Sequence, residues 1–172
     1  YCIEYIQYNK NIWEVILTGG DPLVLNDTYL DKILTQLNSI EHVKIIRFHT
    51  RIPSVLPERI TDNLLSLLQK SNKSIWISVH INSHLEFTES CKQALKLLKR
   101  AGIPLQLQSV LLKDVNDTKE QLINLFKTAV ENKVKPYYLH YTDLAKGTSH
   151  FRIPLQEAIE LIASLRGKIS GL

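Results

Sequence analysis

Apolar residues along this chain switch repeatedly between two spacings, and the switches set out the elements in order. Trp13-Glu14-Val15-Ile16-Leu17 is a short apolar run stopped by Thr18-Gly19-Gly20-Asp21-Pro22, the pattern of a strand that ends in a turn. Leu30, Ile33, Leu34 and Leu37 then recur at i, i+3, i+4 and i+7, one face of a helix capped by Asn26 or Asp27. The pair of patterns repeats. Val43 to Phe48 predicts a strand ending at His49-Thr50-Arg51, and Thr61 caps a helix that carries Leu64, Leu67 and Leu68. Ser74 to Val79 predicts a strand ending at His80, and Thr88 caps a helix with Cys91, Ala94, Leu95 and Leu98, closed by Gly102. Pro104 to Leu112 holds a fourth strand, followed by a capping-box-like Asp117 and Glu120 and a helix with Leu122, Leu125, Phe126 and Ala129. Lys135 to Tyr141 is a fifth strand, and Pro154 to Arg166 a final amphipathic helix ending at Gly167. Before all of these, Glu4 to Tyr8 reads as the end of a helix.

A helix followed by five strand–helix units implies an α/β fold with a parallel sheet and right-handed crossovers. A barrel and an open doubly wound sheet both satisfy the pattern. No composition break divides the chain, so residues 1–172 are expected to form a single domain.

Composition adds a few constraints. The net charge of +4 is spread over scattered Lys and Arg, which favours a solvated surface over a nucleic-acid face. Two cysteines, Cys2 and Cys91, lie far apart without CxxC spacing, in keeping with a reducing cytoplasm. Neither a bilayer-spanning run nor a signal-peptide layout is visible. The chain has no methionine and begins Tyr1-Cys2-Ile3, so Tyr1 is expected not to be the natural start.

Chemically capable residues gather at the C-terminal ends of the predicted strands: Asp21, His49 with Arg51, His80, Gln108, and His140 with Asp143. In parallel barrels these ends converge on one rim and build the active site. Taken singly the residues are ambiguous. Gly19-Gly20 makes a tight turn or exposes backbone to a ligand, and His80 is a satisfied half-buried histidine or a ligand contact. His42 reads as surface, Tyr137 and Tyr138 as wall and core, and Asp114, Asn116 and Asp117 as turn and cap residues. A metal-dependent hydrolase or lyase, with His49, His80, His140, Asp21 and Asp143 as ligands, is one alternative. A non-enzymatic remnant of a split gene is another.

Five motifs in order resemble the lysine 2,3-aminomutase family of radical S-adenosylmethionine enzymes, which includes the enzyme that makes β-lysine for elongation factor P. They are Thr18-Gly19-Gly20-Asp21-Pro22-Leu23, then Arg47 to Pro53 with Leu56 to Thr61, then His80-Ile81-Asn82 with Glu86. Gln108 to Asp117 follows, and Lys135 to His140 with Asp143, Gly147 and His150-Phe151-Arg152 completes the set. The resemblance covers essentially the whole chain. It implies a partial (β/α)6 barrel with parallel strands two to six present and the first missing, a central fragment truncated at both ends. Such a piece is expected to expose a sheet edge and to aggregate in isolation.

The resemblance further implies an isomerase that shifts the amino group of lysine from C2 to C3 with S-adenosylmethionine, a [4Fe–4S] cluster and pyridoxal phosphate. Gly19, Gly20 and Asp21 would lie against S-adenosylmethionine, with His80, Gln108 and, more weakly, Arg51 as further cofactor contacts. Asp143 would hold the side-chain ammonium of the substrate lysine. Family members are expected to be homo-oligomers without nucleic-acid or membrane partners. The family's CxxxCxxC cluster loop and its aldimine lysine have no counterpart here, so no catalytic or metal-ligating residue is expected within the chain. Without them the isolated chain is expected to be inactive. Ser83-His84 and Leu107 depart from the family pattern close to the cofactor residues.

Overall fold

The five apolar runs form strands because β-branched and aromatic side chains suit a pleated, buried surface. In the computed structural model, which describes residues 1–171, they are β1 (Glu14–Leu17), β2 (Ile45–Thr50), β3 (Ser74–His80), β4 (Leu105–Val110) and β5 (Lys135–His140). The helices are α1 (Cys2–Tyr8), α2 (Asp27–Asn38), α3 (Ile52–Val55), α4 (Asp62–Gln69), α5 (Glu89–Arg100), α6 (Lys119–Glu131) and α7 (Leu155–Ser164). All strand pairs are parallel and the spatial order is β1-β2-β3-β4-β5. Every crossover therefore steps the same way. A doubly wound sheet must reverse its strand order, so the arrangement is that of a barrel wall.

Alternation along the strands separates two faces. Ile46, Phe48, Ile75, Ile77, Val79, Leu105 and Leu107 are buried in one core with Leu34, Leu68, Leu95 and Leu125 from the helices. The intervening positions are largely polar: Arg47 and His49 on β2, Ser78 and His80 on β3, Gln106 and Gln108 on β4. A strand that alternates in this way inside a helix-covered sheet needs a reason for its polar side.

Local signals hold closely. Asn26, rather than Asp27, caps α2 by accepting from Tyr29 N at 3.0 Å, while Thr61 and Thr88 cap α4 and α5. Gly102, at φ +79, closes α5, with Ile103 N donating to Leu98 O at 3.2 Å. The capping box of α6 lies one residue later than expected. It is Thr118 with Gln121, because the turn at Asp114 (φ +62) and Asn116 consumes the residues before it.

Two side-chain expectations change. Tyr137 and Tyr138 are not core: each is 43% exposed, because β5 has one neighbour only and a register shift at Leu107/Gln108 leaves Tyr137 unpaired. His42 is not idle surface, since its Nε2 lies 2.9 Å from Ile6 O and ties α1 to the segment before β2. The expected sheet edge is present at β1, beside the exposed Trp13 and Ile16. Among the described residues no helix is long and apolar enough to cross a membrane.

Candidate functional site

The loop after β1 is shaped by two successive glycines in the left-handed region, Gly19 at φ +86 and Gly20 at φ +84. A side chain at either would be strained although the space beside it is open. Among the described residues neither glycine's backbone bonds to the protein.

Asp21 anchors this loop. Its Oδ1 accepts from Leu23 N at 3.0 Å and from Thr50 Oγ1 at 2.6 Å, and its Oδ2 accepts from Arg51 N at 2.6 Å. The carboxylate is therefore committed to joining the β1 loop to the end of β2.

Arg51 is a brace of the rim. Its Nη2 donates to Glu86 Oε2 at 3.0 Å, and Glu86 Oε1 accepts from Asn82 N at 2.7 Å and Ser83 N at 3.0 Å. The ends of β2 and β3 are thereby tied together.

Below the rim lies a buried amide network. Asn82 Oδ1 accepts from Val110 N at 2.9 Å and from Ser109 Oγ at 3.2 Å. Asn116, 1% exposed, donates through Nδ2 to Asn82 O and Val110 O at 2.9 Å each and accepts from Leu112 N at 2.7 Å. His80 Nε2 lies 3.2 Å from the same Asn82 Oδ1, an acceptor, so the imidazole carries its proton on Nε2 and leaves Nδ1 as an acceptor. Sequence placed Asn116 as a turn former; the fold makes it also the link between the ends of β3 and β4.

Among the described residues three polar atoms of the inner face are buried without a hydrogen-bond partner, Arg47 Nε, His49 Nε2 and Gln108 Oε1. Gln108 pairs in register with His80, and His49 sits one step beyond the last paired residues of β1 and β2, beside the start of the glycine loop. Nearby, Arg47 Nε lies 3.0 Å from Glu14 Oε1 without pointing at it, an ion pair and not a hydrogen bond.

Burial first, and then the charges of Arg47 and His140, holds His49 below the ordinary histidine value; Glu14 opposes this. Burial and Arg51 lower His80, against Asn82 and Glu86. Both rings are neutral near pH 7. The unfolded state binds more protons once the pH drops below about 6.5, so their contribution to stability is complete above that value and is lost as pH falls toward the folded-state values. The urea midpoint is expected to fall between about pH 7.5 and about pH 5.5, and His49→Phe to flatten the slope. An unchanged slope in that variant would remove His49 from the account.

Asp143 stands apart on the loop after β5. Thr142 Oγ1 donates to Leu111 O at 2.8 Å, and Arg152 Nη2 donates to Asp143 O, Ala145 O and Thr148 Oγ1 at 3.4, 3.1 and 3.2 Å. The backbone is pinned while the exposed carboxylate has no partner among the described residues.

The structure thus joins Asp21 to Arg51 and His80 to Gln108, and leaves Asp143 separate. Among the described residues no three His, Cys, Asp or Glu side chains are placed to hold a metal ion, which leaves the metal-dependent alternative without a centre. Cys2 is exposed on α1, and Cys91 is buried on the inner side of α5 with its thiol pushed up by desolvation to about 11. These residues do not fit an iron–sulfur cluster. The polar atoms around Gly19, His80 and Gln108 do fit a ligand rich in N–H donors. His49 stood in the sequence among the strand-end residues, in the second motif and as an alternative metal ligand, but not as a cofactor contact; its polar place between Phe48 and Thr50 was the available signal for one.

No family model matches the chain. It is 47% identical over 170 residues to L-lysine 2,3-aminomutase of Methanococcus maripaludis and 43% identical to that of Acetoanaerobium sticklandii. It is 39% identical to glutamate 2,3-aminomutase of Clostridioides difficile. Each match covers 99% of this chain, and 39%, 41% and 40% of the respective relatives. The chain therefore spans about two fifths of the length of the curated relatives it matches. Among solved structures, Streptococcus suis SuiB bound to S-adenosylmethionine aligns with a TM-score of 0.71 at 19% identity, over 95% of this chain and 39% of that one. That likeness is one of fold.

Proposed function

From a chain that belongs to the lysine 2,3-aminomutase family, we propose a wall of a radical S-adenosylmethionine enzyme that faces both cofactor and substrate. The observation that carries the reading is two buried polar atoms without a hydrogen-bond partner among the described residues, His49 Nε2 beside a glycine loop with unbonded backbone and Gln108 Oε1 in register with His80. Acceptors at Gly19, Gly20, Gln108 Oε1 and His80 Nδ1 suit the α-ammonium and adenine N–H groups of S-adenosylmethionine. Asp21 holds the loop in shape for this contact, and Arg51 keeps the β2 and β3 ends in place.

When bound, S-adenosylmethionine supplies hydrogen-abstracting radical chemistry, and pyridoxal phosphate carries the migrating amino group. The second cofactor would share the wall formed by His80 and Gln108. The unpaired Asp143 carboxylate suits a side-chain ammonium and would repel a side-chain carboxylate, so the substrate is lysine and not glutamate. The described residues offer the cluster no ligands. A cytoplasmic, homo-oligomeric enzyme completes the proposal.

Equilibrium dialysis with labelled S-adenosylmethionine tests it. Gln108→Leu is expected to weaken binding roughly tenfold or more, since an unmade buried hydrogen bond costs about 1–3 kcal/mol, while the unfolding midpoint holds. In the native-length protein, Asp143→Asn should raise KM for lysine and leave cofactor affinity alone. Unchanged cofactor affinity in Gln108→Leu would defeat the reading of the wall, and turnover of glutamate in place of lysine would defeat the substrate assignment.

A further inference from the structure

Lysines and arginines that look scattered in sequence are gathered in space on the outside of the fold. Lys92, Lys96, Lys99 and Arg100 follow one another along α5, and Lys133, at φ +57 just past α6, joins them around an open groove of about 500 Å³. Among the described residues Glu89 is the single carboxylate lining it, and that group already accepts from Gln93 Nε2 at 3.0 Å. Five cations against one carboxylate leave a surplus of four, as large as the net charge of the whole chain.

Among the described residues none of the five has a carboxylate within ion-pair distance. The helix dipole accounts for Lys99 and Arg100 in the last turn of α5 and for Lys133 beyond α6. It does not account for Lys92, near the positive end, or for Lys96, which lies before the last turn. Lys92 with Lys96, and Lys96 with Arg100, are like-charged pairs four residues apart, an arrangement that weakens a helix. By contrast, α6 sets Lys127 four residues before Glu131. Crowding shows at Lys99, which burial, Lys133 and Lys96 together hold below the ordinary lysine value while its Nζ donates to Asn132 O at 2.6 Å.

We propose that this groove docks an acidic segment of a partner protein. The α5 cations extend over roughly 12 Å, the reach of about four residues of extended chain. Among the described residues no aromatic side chain lines the groove for stacking on bases, a single arginine is present, and no apolar side chain lines it for insertion into lipid. The C-terminal end of α5 leads into the N-terminal end of β4, so the groove opens away from the rim that carries Gly19, His80 and Gln108. A docked partner would leave that rim accessible.

The test is fluorescence anisotropy of a labelled, Asp- and Glu-rich peptide of about twelve residues against the native-length protein at about 50 mM salt. Binding that weakens with salt is expected, with a loss of at least about tenfold when Lys92→Glu, Lys96→Glu and Lys133→Glu are combined. Lys99 is spared because its ammonium holds Asn132. A second triple reversal, Lys10→Glu, Lys32→Glu and Lys44→Glu, applies the same charge change elsewhere and should leave binding within about twofold. Unfolding midpoints confirm that both variants fold. Equal losses in the two variants, no binding of the peptide, or displacement of the peptide by a short single-stranded DNA at lower concentration would each overturn the proposal.

Discussion

Asp21→Ala is expected to reduce S-adenosylmethionine binding below detection and to lower stability by roughly 2–4 kcal/mol. Three N–H and O–H donors end on this carboxylate, from Leu23, Thr50 and Arg51, at 2.6–3.0 Å. Hydrogen bonds to a charged acceptor contribute about 1.5–3 kcal/mol each when buried, and partial exposure here brings the sum down. Once the tie is cut, the two successive left-handed glycines are held beside the end of β2 only through the β1–β2 pairing that stops at Leu17 and Phe48, among the described residues. Asparagine is a poor substitute, because one of its two polar atoms becomes an N–H₂ facing either Thr50 or Arg51 N. Thr50→Val should reproduce part of both losses, since it removes the 2.6 Å bond without touching the loop. Dialysis and urea unfolding read the two effects separately. If Asp21→Ala kept its cofactor affinity while losing stability, the loop would not need its clamp to bind.

Asn116→Ala is the larger stability effect, about 3 kcal/mol or more. It strands Leu112 N–H and the carbonyls of Asn82 and Val110 in a buried site, and each unmade buried bond costs about 1–3 kcal/mol. The loss propagates to function through Asn82, whose side-chain oxygen lies against His80 Nε2 and whose carbonyl is one of those stranded. Asn116→Asp should be no better at neutral pH. Its carboxylate still accepts from Leu112 N but meets two carbonyl oxygens where Nδ2 stood. Urea unfolding decides this. A midpoint within about 0.5 kcal/mol of the parent protein would show that water replaces the amide and that the network is not closed.

The order of elements was readable because helices and strands impose different periods on apolar residues, and α2, α4, α5 and α6 each begin at a residue whose side chain caps them. Thr61 and Thr88 were correct because an N-cap is a local bond, three residues in reach. The α6 cap slipped by one because Asp114 and Asn116 spend their backbone and side chain on a turn whose purpose lies on another strand. Tyr137 and Tyr138 were misplaced for a similar reason: their exposure depends on β5 having one neighbour, which no property of Lys135–His140 reveals.

At the site the division is sharper. The sequence by itself determined which residues reach the strand ends, and motif order alone supplied the family, since both depend on spacing along the chain. It could not say that Asp21 serves Thr50 and Arg51, 29 and 30 residues away, or that Asn116 serves Asn82 across 34 residues. It also left cations on α5 and beyond α6 looking scattered when they share one groove. Hydrogen-bond partners, orphaned polar atoms and summed charge are properties of distance in space. Only the tertiary structure, by bringing strands with different sequence separations into one parallel sheet, decides those distances.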